Sequence, residues 1–262
     1  KNTIKRLSNK VALITGAGSG IGRATSLRYA KEGAKIIVVD MNIETAEETV
    51  KMIKNEINGD AIAIECDISI KDKVKSMVEQ AYRQFPRIDI LFNNAGIGTL
   101  SYGELVNISE ITWDKVMNVN LRGNWLVSKF VVKRMKKQDI LGELRGKIIN
   151  NASLLGKVPT SPVGVYSITK AGLIAMTKIF AQELAPHKIT VNAICPGFML
   201  TGIFMNDERA INEMIRFWGK PILLERTGTA TDVANTMFFL ASDDSNYLTG
   251  QAISCDGGCT AI

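Results

Sequence analysis

Short apolar runs recur along the chain at 11–15, 35–40, 61–66, 88–93, 146–152, 189–195 and 252–255. Each is strand-length and unbroken by charge in its middle, the form a strand takes when a parallel sheet buries both of its faces. The stretches between them carry apolar residues at helical spacing, as in Ala24, Leu27 and Ala30. Strand and helix in alternation predict an α/β fold: a doubly wound, seven-stranded parallel sheet with right-handed crossovers and helices on both faces. The 262 residues include six scattered prolines and show no linker or internal repeat, so residues 1–262 read as one domain with halves at about 11–150 and 151–262.

In such a sheet, ligands bind beyond the carboxyl ends of the strands. Gly16, Asp40, Asp67, Asn94, Ser153 and Pro196 all fall at or just after predicted strand ends, which gathers them on one edge. The run Val11–Thr15 leads into Gly16-Ala17-Gly18-Ser19-Gly20-Ile21-Gly22 and then a helical pattern. Strand, glycine turn and helix present backbone N–H groups and a helix N-terminus to a pyrophosphate, and the glycines allow it close approach. Ile21 stands where a plain G-x-G-x-x-G would place its third glycine, so the run reads better as T-G-x-x-x-G-x-G. Asp40, about twenty residues on, sits where an acid accepts hydrogen bonds from the adenosine ribose and repels a 2′-phosphate. Neither Ser19 nor Met41 offers that phosphate a cation, which favours NAD(H) over NADP(H). The same position also suits an acid that caps the helix starting near Asn42.

Tyr166-Ser167-Ile168-Thr169-Lys170 places a phenol and an ammonium one helical turn apart on one face. A free phenol titrates near about 10 and is a poor base at neutral pH, and a cation held close favours the phenolate. Tyr166 could then pass a proton to or from a substrate oxygen. Taken alone, this pair is also compatible with an exposed helix face.

With these motifs in order, the chain resembles the short-chain dehydrogenase/reductase family over nearly its whole length. Thr15-Gly16-x-x-x-Gly20-x-Gly22 looks like the family's coenzyme turn, Asn93-Asn94-Ala95-Gly96 its fourth-strand motif, and Asn120 in Asn118-Val119-Asn120 its helix asparagine. Ser153 lies thirteen residues before Tyr166, the usual family separation. Pro196-Gly197 and Thr201, then Tyr247-Leu248-Thr249-Gly250-Gln251 and Asp256-Gly257-Gly258, match its later segments.

The resemblance implies a single Rossmann-type domain, a coenzyme half followed by a catalytic and lid half. It implies an NAD-dependent oxidoreductase acting on a secondary alcohol or ketone, a polyol or a hydroxysteroid-like compound. Ser153 would hold the substrate oxygen beside Tyr166, the acid/base. Lys170 would lower the Tyr166 pKa and bind the nicotinamide ribose, and Asn120 would hold a relay water. Asp67 and Ile68 would flank the adenine, with Pro196, Gly197, Met199 and Thr201 beside the nicotinamide. The segment Phe198 to Arg226, with Phe204, Met205, Met214, Phe217 and Trp218, would form a helical lid, and Leu154, Leu155 and Val163 an apolar pocket wall; these side chains equally suit the core or a partner subunit. A homotetramer would use the helices near 109–137 and 164–185, with Trp125, Val127, Val131 and Met176 in that interface or in the core. The alternative is a 3-oxoacyl-(acyl-carrier-protein) reductase. Asp40 speaks against it, since family members in that pathway commonly prefer NADPH. A coenzyme-binding protein without catalysis is a third class, and four intact catalytic positions speak against it.

Composition narrows the rest. The +6 net charge peaks in Lys129–Lys137, late in a predicted helix, where cations complement the helix C-terminus. A solvated helix end is the first reading, a dock for an acidic carrier the second, and a nucleic-acid stripe is not indicated. No apolar run approaches the ~20 residues of a membrane span, and residues 1–10 lack a signal core. Cys66, Cys195, Cys255 and Cys259 lack metal-ligand spacing, even with the single His187. No metal is expected, and free thiols in a reducing cytoplasm are the simpler account.

Overall fold

The structure, a computed structural model, describes residues 5–98, 103–200 and 222–261. Its strands are Val11–Thr15 (β1), Lys35–Asp40 (β2), Ala61–Glu65 (β3), Ile90–Asn93 (β4), Gly146–Asn151 (β5), Ile189–Pro196 (β6), Met199–Leu200 (β7), Gly228–Thr229 (β8) and Ala252–Cys255 (β9). β7 and β8 pair only with each other. The other seven form one sheet in the order β3-β2-β1-β4-β5-β6-β9, with every neighbouring pair parallel. The predicted strands are all present; the 88–93 run starts its strand at Ile90, and the 189–195 run extends to Pro196.

The helices are Gly20–Lys31 (α1), Ile43–Ile57 (α2), Lys71–Gln84 (α3), Glu110–Met117 (α4), Asn124–Met135 (α5), Leu154–Lys157 (α6), Gly164–Leu184 (α7) and Ala230–Ala241 (α8). Alternate residues of each strand serve opposite layers, as the two-residue period of a strand requires. Ile37 and Val39 of β2 pack with Leu13, Leu91 and Ile148 beneath α3 and α5. Ile36 and Val38 pack with Ile14, Phe92 and Ile149 beneath α1 and α8. Tyr29 of α1 is fully buried there, and its hydroxyl donates to the Met237 carbonyl of α8 at 2.8 Å.

Local chemistry sets the helix ends. The Asn42 side chain accepts from the Thr45 N–H at the start of α2, and Asn58 ends that helix in the left-handed region. Thr229 and Asp232 form a reciprocal capping box at the start of α8. Between α4 and α5 the chain makes a π-helical turn, Asn118–Gly123, where the sequence predicted one continuous helix.

The strand order reverses between β1 and β4. The segments leaving their carboxyl ends therefore turn to opposite faces of the sheet and leave a crevice at the switch point. Thr201, Phe204, Met205, Met214, Phe217 and Trp218 lie outside the described residues.

Candidate active site

The crevice is a cleft of about 580 Å3 lined by Gly16, Ser19, Gly20 and Ile21 of the glycine turn, Asp40 after β2, Asp67 and Ile68 after β3, and Asn94, Ala95 and Gly96 after β4. These ten predicted positions therefore meet in one place. Side chains would not fit at the glycines. A Cβ on Gly16 would lie 2.8 Å from the Ala95 Cα, and one on Gly22 would lie 2.2 Å from the Gly16 carbonyl oxygen. Ser19 precedes α1 in extended conformation, makes no side-chain capping bond, and no acid occupies the first turn. The helix thus points uncapped N–H groups at the cleft, the arrangement that binds a pyrophosphate.

Asp40 braces this turn: its Oδ2 accepts from the Gly18 N–H at 2.9 Å and its Oδ1 from the Asn42 N–H at 3.1 Å. The cap of α2 is Asn42, so the capping account of Asp40 does not hold. Asp67 closes a turn with Ser69, accepting from its N–H at 2.9 Å and its hydroxyl at 2.7 Å. It does not cap α3, whose N-cap position is Ile70.

A web of amides joins the strand ends. Asn94 Nδ2 donates to the Thr15 and Gly16 carbonyls at 3.0 and 2.9 Å, and Thr15 Oγ1 accepts from the Asn94 and Ala95 N–H groups at 3.0 Å each. Asn151 donates to Asn94 Oδ1 at 2.9 Å, while its own buried Oδ1 has no partner among the described residues. Asn151, Lys115 and Val119 line the cleft without having been singled out in the sequence. Asn151 had a signal: it ends β5 two residues before Ser153.

At the end of β5 the chain turns through Ser153 into α6, and α7 brings Tyr166 and Lys170 alongside. Ser153 Oγ accepts from the Leu155 N–H at 3.1 Å and is hydrogen-bonded to the Tyr166 hydroxyl. Lys170, buried on α7, donates to the Asn151 carbonyl at 2.7 Å, and its Nζ lies 5.3 Å from the Tyr166 ring centroid. Burial pushes the phenol up to about 12, against the lowering effect of Ser153, and pushes Lys170 down to about 8. This differs from the expectation that the ammonium holds the phenol low: burial dominates both groups, and the group that lowers the phenol is Ser153.

Asn120 sits in the π-helical turn and is fully buried. Its Oδ1 accepts from the Ile97 N–H at 2.8 Å, and its Nδ2 donates to the Ile97 carbonyl at 2.9 Å. The side chain thus splints the strand-four loop to the helix, and its backbone carbonyl accepts from Asn124 at 2.7 Å. Gly96 stands between the two: a Cβ there would lie 3.1 Å from Asn120 Oδ1 and 3.8 Å from Lys170 Nζ.

Pro196 ends β6, and Gly197 is pressed against Asp256, where a Cβ would lie 2.7 Å from the Asp256 Cα. Met199 turns its side chain toward Gly228 and a recess shared with Phe198 and Ile222, not into the coenzyme-sized cleft. Thr201 lies outside the described residues. Leu154, Leu155 and Val163 do pack together beside Tyr166, joined by Phe198, Ile222 and Cys259. No disulfide links Cys66, Cys195, Cys255 or Cys259. Of the positions considered for a subunit interface, Val127 and Val131 are core, while Trp125 stays exposed with Lys129 over its ring at 4.6 Å. The basic end of α5 lies at the edge where the strands begin, away from the cleft at their carboxyl ends. No helix among the described residues is long and apolar enough to cross a membrane.

A family model described as enoyl-(acyl carrier protein) reductase matches residues 16–260. The chain is 40% identical to the 3-oxoacyl-(acyl-carrier-protein) reductase of Thermotoga maritima over 97% of its own length and 98% of that protein's. Among solved structures it is similar to a short-chain type dehydrogenase/reductase from Mycobacterium marinum, with TM-score 0.88, 32% identity and 99% and 98% of the two chains covered. It is also similar to a putative 2-deoxy-D-gluconate 3-dehydrogenase from Agrobacterium tumefaciens with bound NADP, with TM-score 0.84, 30% identity and 100% of both chains covered.

Proposed function

Because the chain belongs to the short-chain dehydrogenase/reductase family and is an oxidoreductase, we propose that it interconverts the ketone of a 3-oxoacyl thioester and the matching secondary alcohol, with NAD(H) as coenzyme. The observation that carries this is the placement of Ser153, Tyr166 and Lys170 beside the strand-end crevice whose glycine turn a Cβ would block. The thioester substrate is supported by the activity named for the Thermotoga maritima relative. NAD(H) is supported by Asp40, whose carboxylate faces the cleft and repels a 2′-phosphate.

The coenzyme supplies the hydride donor or acceptor; the protein supplies orientation and proton transfer. Gly16, Gly20, Gly22 and the first turn of α1 bind the pyrophosphate, Asp40 the adenosine ribose, and Asp67 and Ile68 the adenine edge. Ser153 donates to the substrate oxygen and holds it against Tyr166. Tyr166 gives its proton to that oxygen in reduction and takes it back in oxidation. Lys170 holds a proton at Nζ close to Tyr166 and binds the nicotinamide ribose, and Asn120 fixes the loop that faces it and holds the relay water. Leu154, Leu155 and Val163 exclude water from the reacting side. Pro196 and Gly197, at the end of β6, flank the nicotinamide.

Purified protein assayed with NADH and NADPH against acetoacetyl-coenzyme A tests the reading. Turnover with NADH, exceeding that with NADPH and lost in Tyr166→Phe, is the expected result. A preference for NADPH overturns the role of Asp40. Inactivity on the thioester with turnover on free secondary alcohols or polyols favours a second reading, a sugar-alcohol or other small-alcohol dehydrogenase, which similarity to the Agrobacterium tumefaciens protein supports. The exposed Trp125, Ile168 and Ile179 support a homotetramer, checked by light scattering, and the unlinked thiols of Cys66, Cys195 and Cys255 support a cytoplasmic setting.

A further inference from the structure

α3 and α5 both end at the edge of the sheet where the strands begin, beside the loop that leads into β5. Arg83, Lys133, Arg134 and Lys137 are exposed there. Arg87, Arg134 and Lys137 converge with Tyr82 and Asp139 on a recess of about 520 Å3. The Arg134 guanidinium lies 4.8 Å from the Tyr82 ring centroid, and Arg87 is tied to Asp89 at 2.7 Å.

The adjoining loop is held in place from within. Gln138 is buried, accepts from the Ile88 N–H at 3.0 Å and the Tyr82 hydroxyl at 2.9 Å, and donates to the Ile88 carbonyl at 3.1 Å. The Leu141 N–H donates to the Leu144 carbonyl at 3.3 Å across Gly142, whose φ of 72° closes the turn. This fixed turn leaves Ile140 and Leu141 44% and 43% exposed, three and four residues past Lys137 and between the exposed Asp139 and Glu143.

Helix ends account for cations, but not for two aliphatic side chains exposed just past them. Cations that engage headgroups, flanking apolar tips that enter the acyl boundary, are the chemistry of attachment to an anionic lipid interface. We propose that this edge docks the protein on an anionic phospholipid surface. Lys133, Arg134 and Lys137 lie against headgroup phosphates, and Ile140 and Leu141 enter the boundary above the acyl chains. An acidic carrier fits less well, because its charge alone would leave Ile140 and Leu141 without a counterpart. A nucleic acid fits less well, because Tyr82, the aromatic ring of the recess, is buried and offers no stacking face. Attachment by this edge leaves the cleft facing the aqueous side.

The test is sedimentation of the full chain with vesicles of phosphatidylcholine alone or mixed with phosphatidylglycerol, at low and high salt. Binding to the anionic vesicles, weakened by salt, is expected. Each lost cation costs about fivefold in partitioning, so the pair Lys133→Ala and Lys137→Ala lowers it about 25-fold. The pair Ile140→Ser and Leu141→Ser, with all charges kept, lowers binding at high salt more than at low salt. Coenzyme-dependent turnover and the thermal midpoint of each variant stay at the parent values, which separates lost docking from lost folding. Equal sedimentation with both vesicle types, undiminished binding by the alanine pair, or capture by polyadenylate in preference to vesicles would each overturn the proposal.

Discussion

Two lysines are buried at opposite ends of β5, and they are put to different uses. Lys147, near the strand's start, donates to the Ser242 carbonyl at 2.8 Å and Ser245 Oγ at 2.9 Å, pinning the end of α8 to the sheet. Lys170 reaches the strand's other end from α7, donates to the Asn151 carbonyl at 2.7 Å and stands over the Tyr166 ring. Burial pushes both down to about 8. The cost of desolvating an ammonium is therefore alike at the two sites. What separates a structural lysine from a chemical one is where its remaining donors point: into a closing loop, or into a cleft beside a phenol.

The comparison is broken or sharpened by substitution. The largest effect is expected at Tyr166→Phe, which removes the proton donor and lowers turnover about 10³-fold while coenzyme affinity holds; stopped-flow turnover and coenzyme fluorescence titration check this. Lys170→Met follows, with turnover down about 10²-fold and stability unchanged or higher, since a desolvated charge is removed from a site that needs it only for chemistry. Lys147→Met is its mirror. It removes the ammonium's bonds to the Ser242 carbonyl and Ser245 Oγ, which tie α8 to the sheet, and costs about 1–3 kcal/mol in urea unfolding, with turnover near the parent value. Should Lys147→Met silence the enzyme while folding normally, the contrast fails. Asp40→Ser is smaller, moving the NADH-to-NADPH preference about tenfold toward NADPH, read from the ratio of kcat/KM values.

The smallest effect is in the pH dependence of stability. Both lysines titrate near about 8 when folded and near 10.5 when unfolded, so the unfolded chain holds more protons between those values. Stability from these groups is therefore gained as pH rises through that window and lost as it falls through about 8. Tyr166 acts in the opposite sense. Its folded value is about 12, so stability is lost as pH rises above its ordinary value of 10. Urea midpoints across this range should rise and then fall, with a shallower rise in either methionine variant.

The strands were legible because a parallel sheet buries both faces of each, and continuous runs such as Ile36-Ile37-Val38-Val39 have no other good use. The glycine turn and the Ser153, Tyr166 and Lys170 positions were legible because close approach and one-turn spacing constrain residue type locally. Burial was not. The upward push on Tyr166 depends on what α6 and the 196–198 segment lay over it, which no local pattern records. The two-residue pair β7–β8 is too short to carry a period. Asn120 was picked out by position, yet its splint to Ile97 depends on a loop twenty-three residues earlier in the chain.

The π-helical turn at Asn118–Gly123 has a consequence for how the rod running from α4 through α5 can change. One surplus residue in an α-helix delays everything after it by about 100°. Upstream of the turn, Lys115 faces the cleft, as do Asn118 and Val119 at its start; downstream, Val127 and Val131 face the core. The turn thus works as a phase shifter between two stretches with different clients. Deleting a single residue within it would bring the stretches into step and swing one set of side chains off its target. With the surplus kept, each stretch can drift in sequence without dragging the other out of alignment.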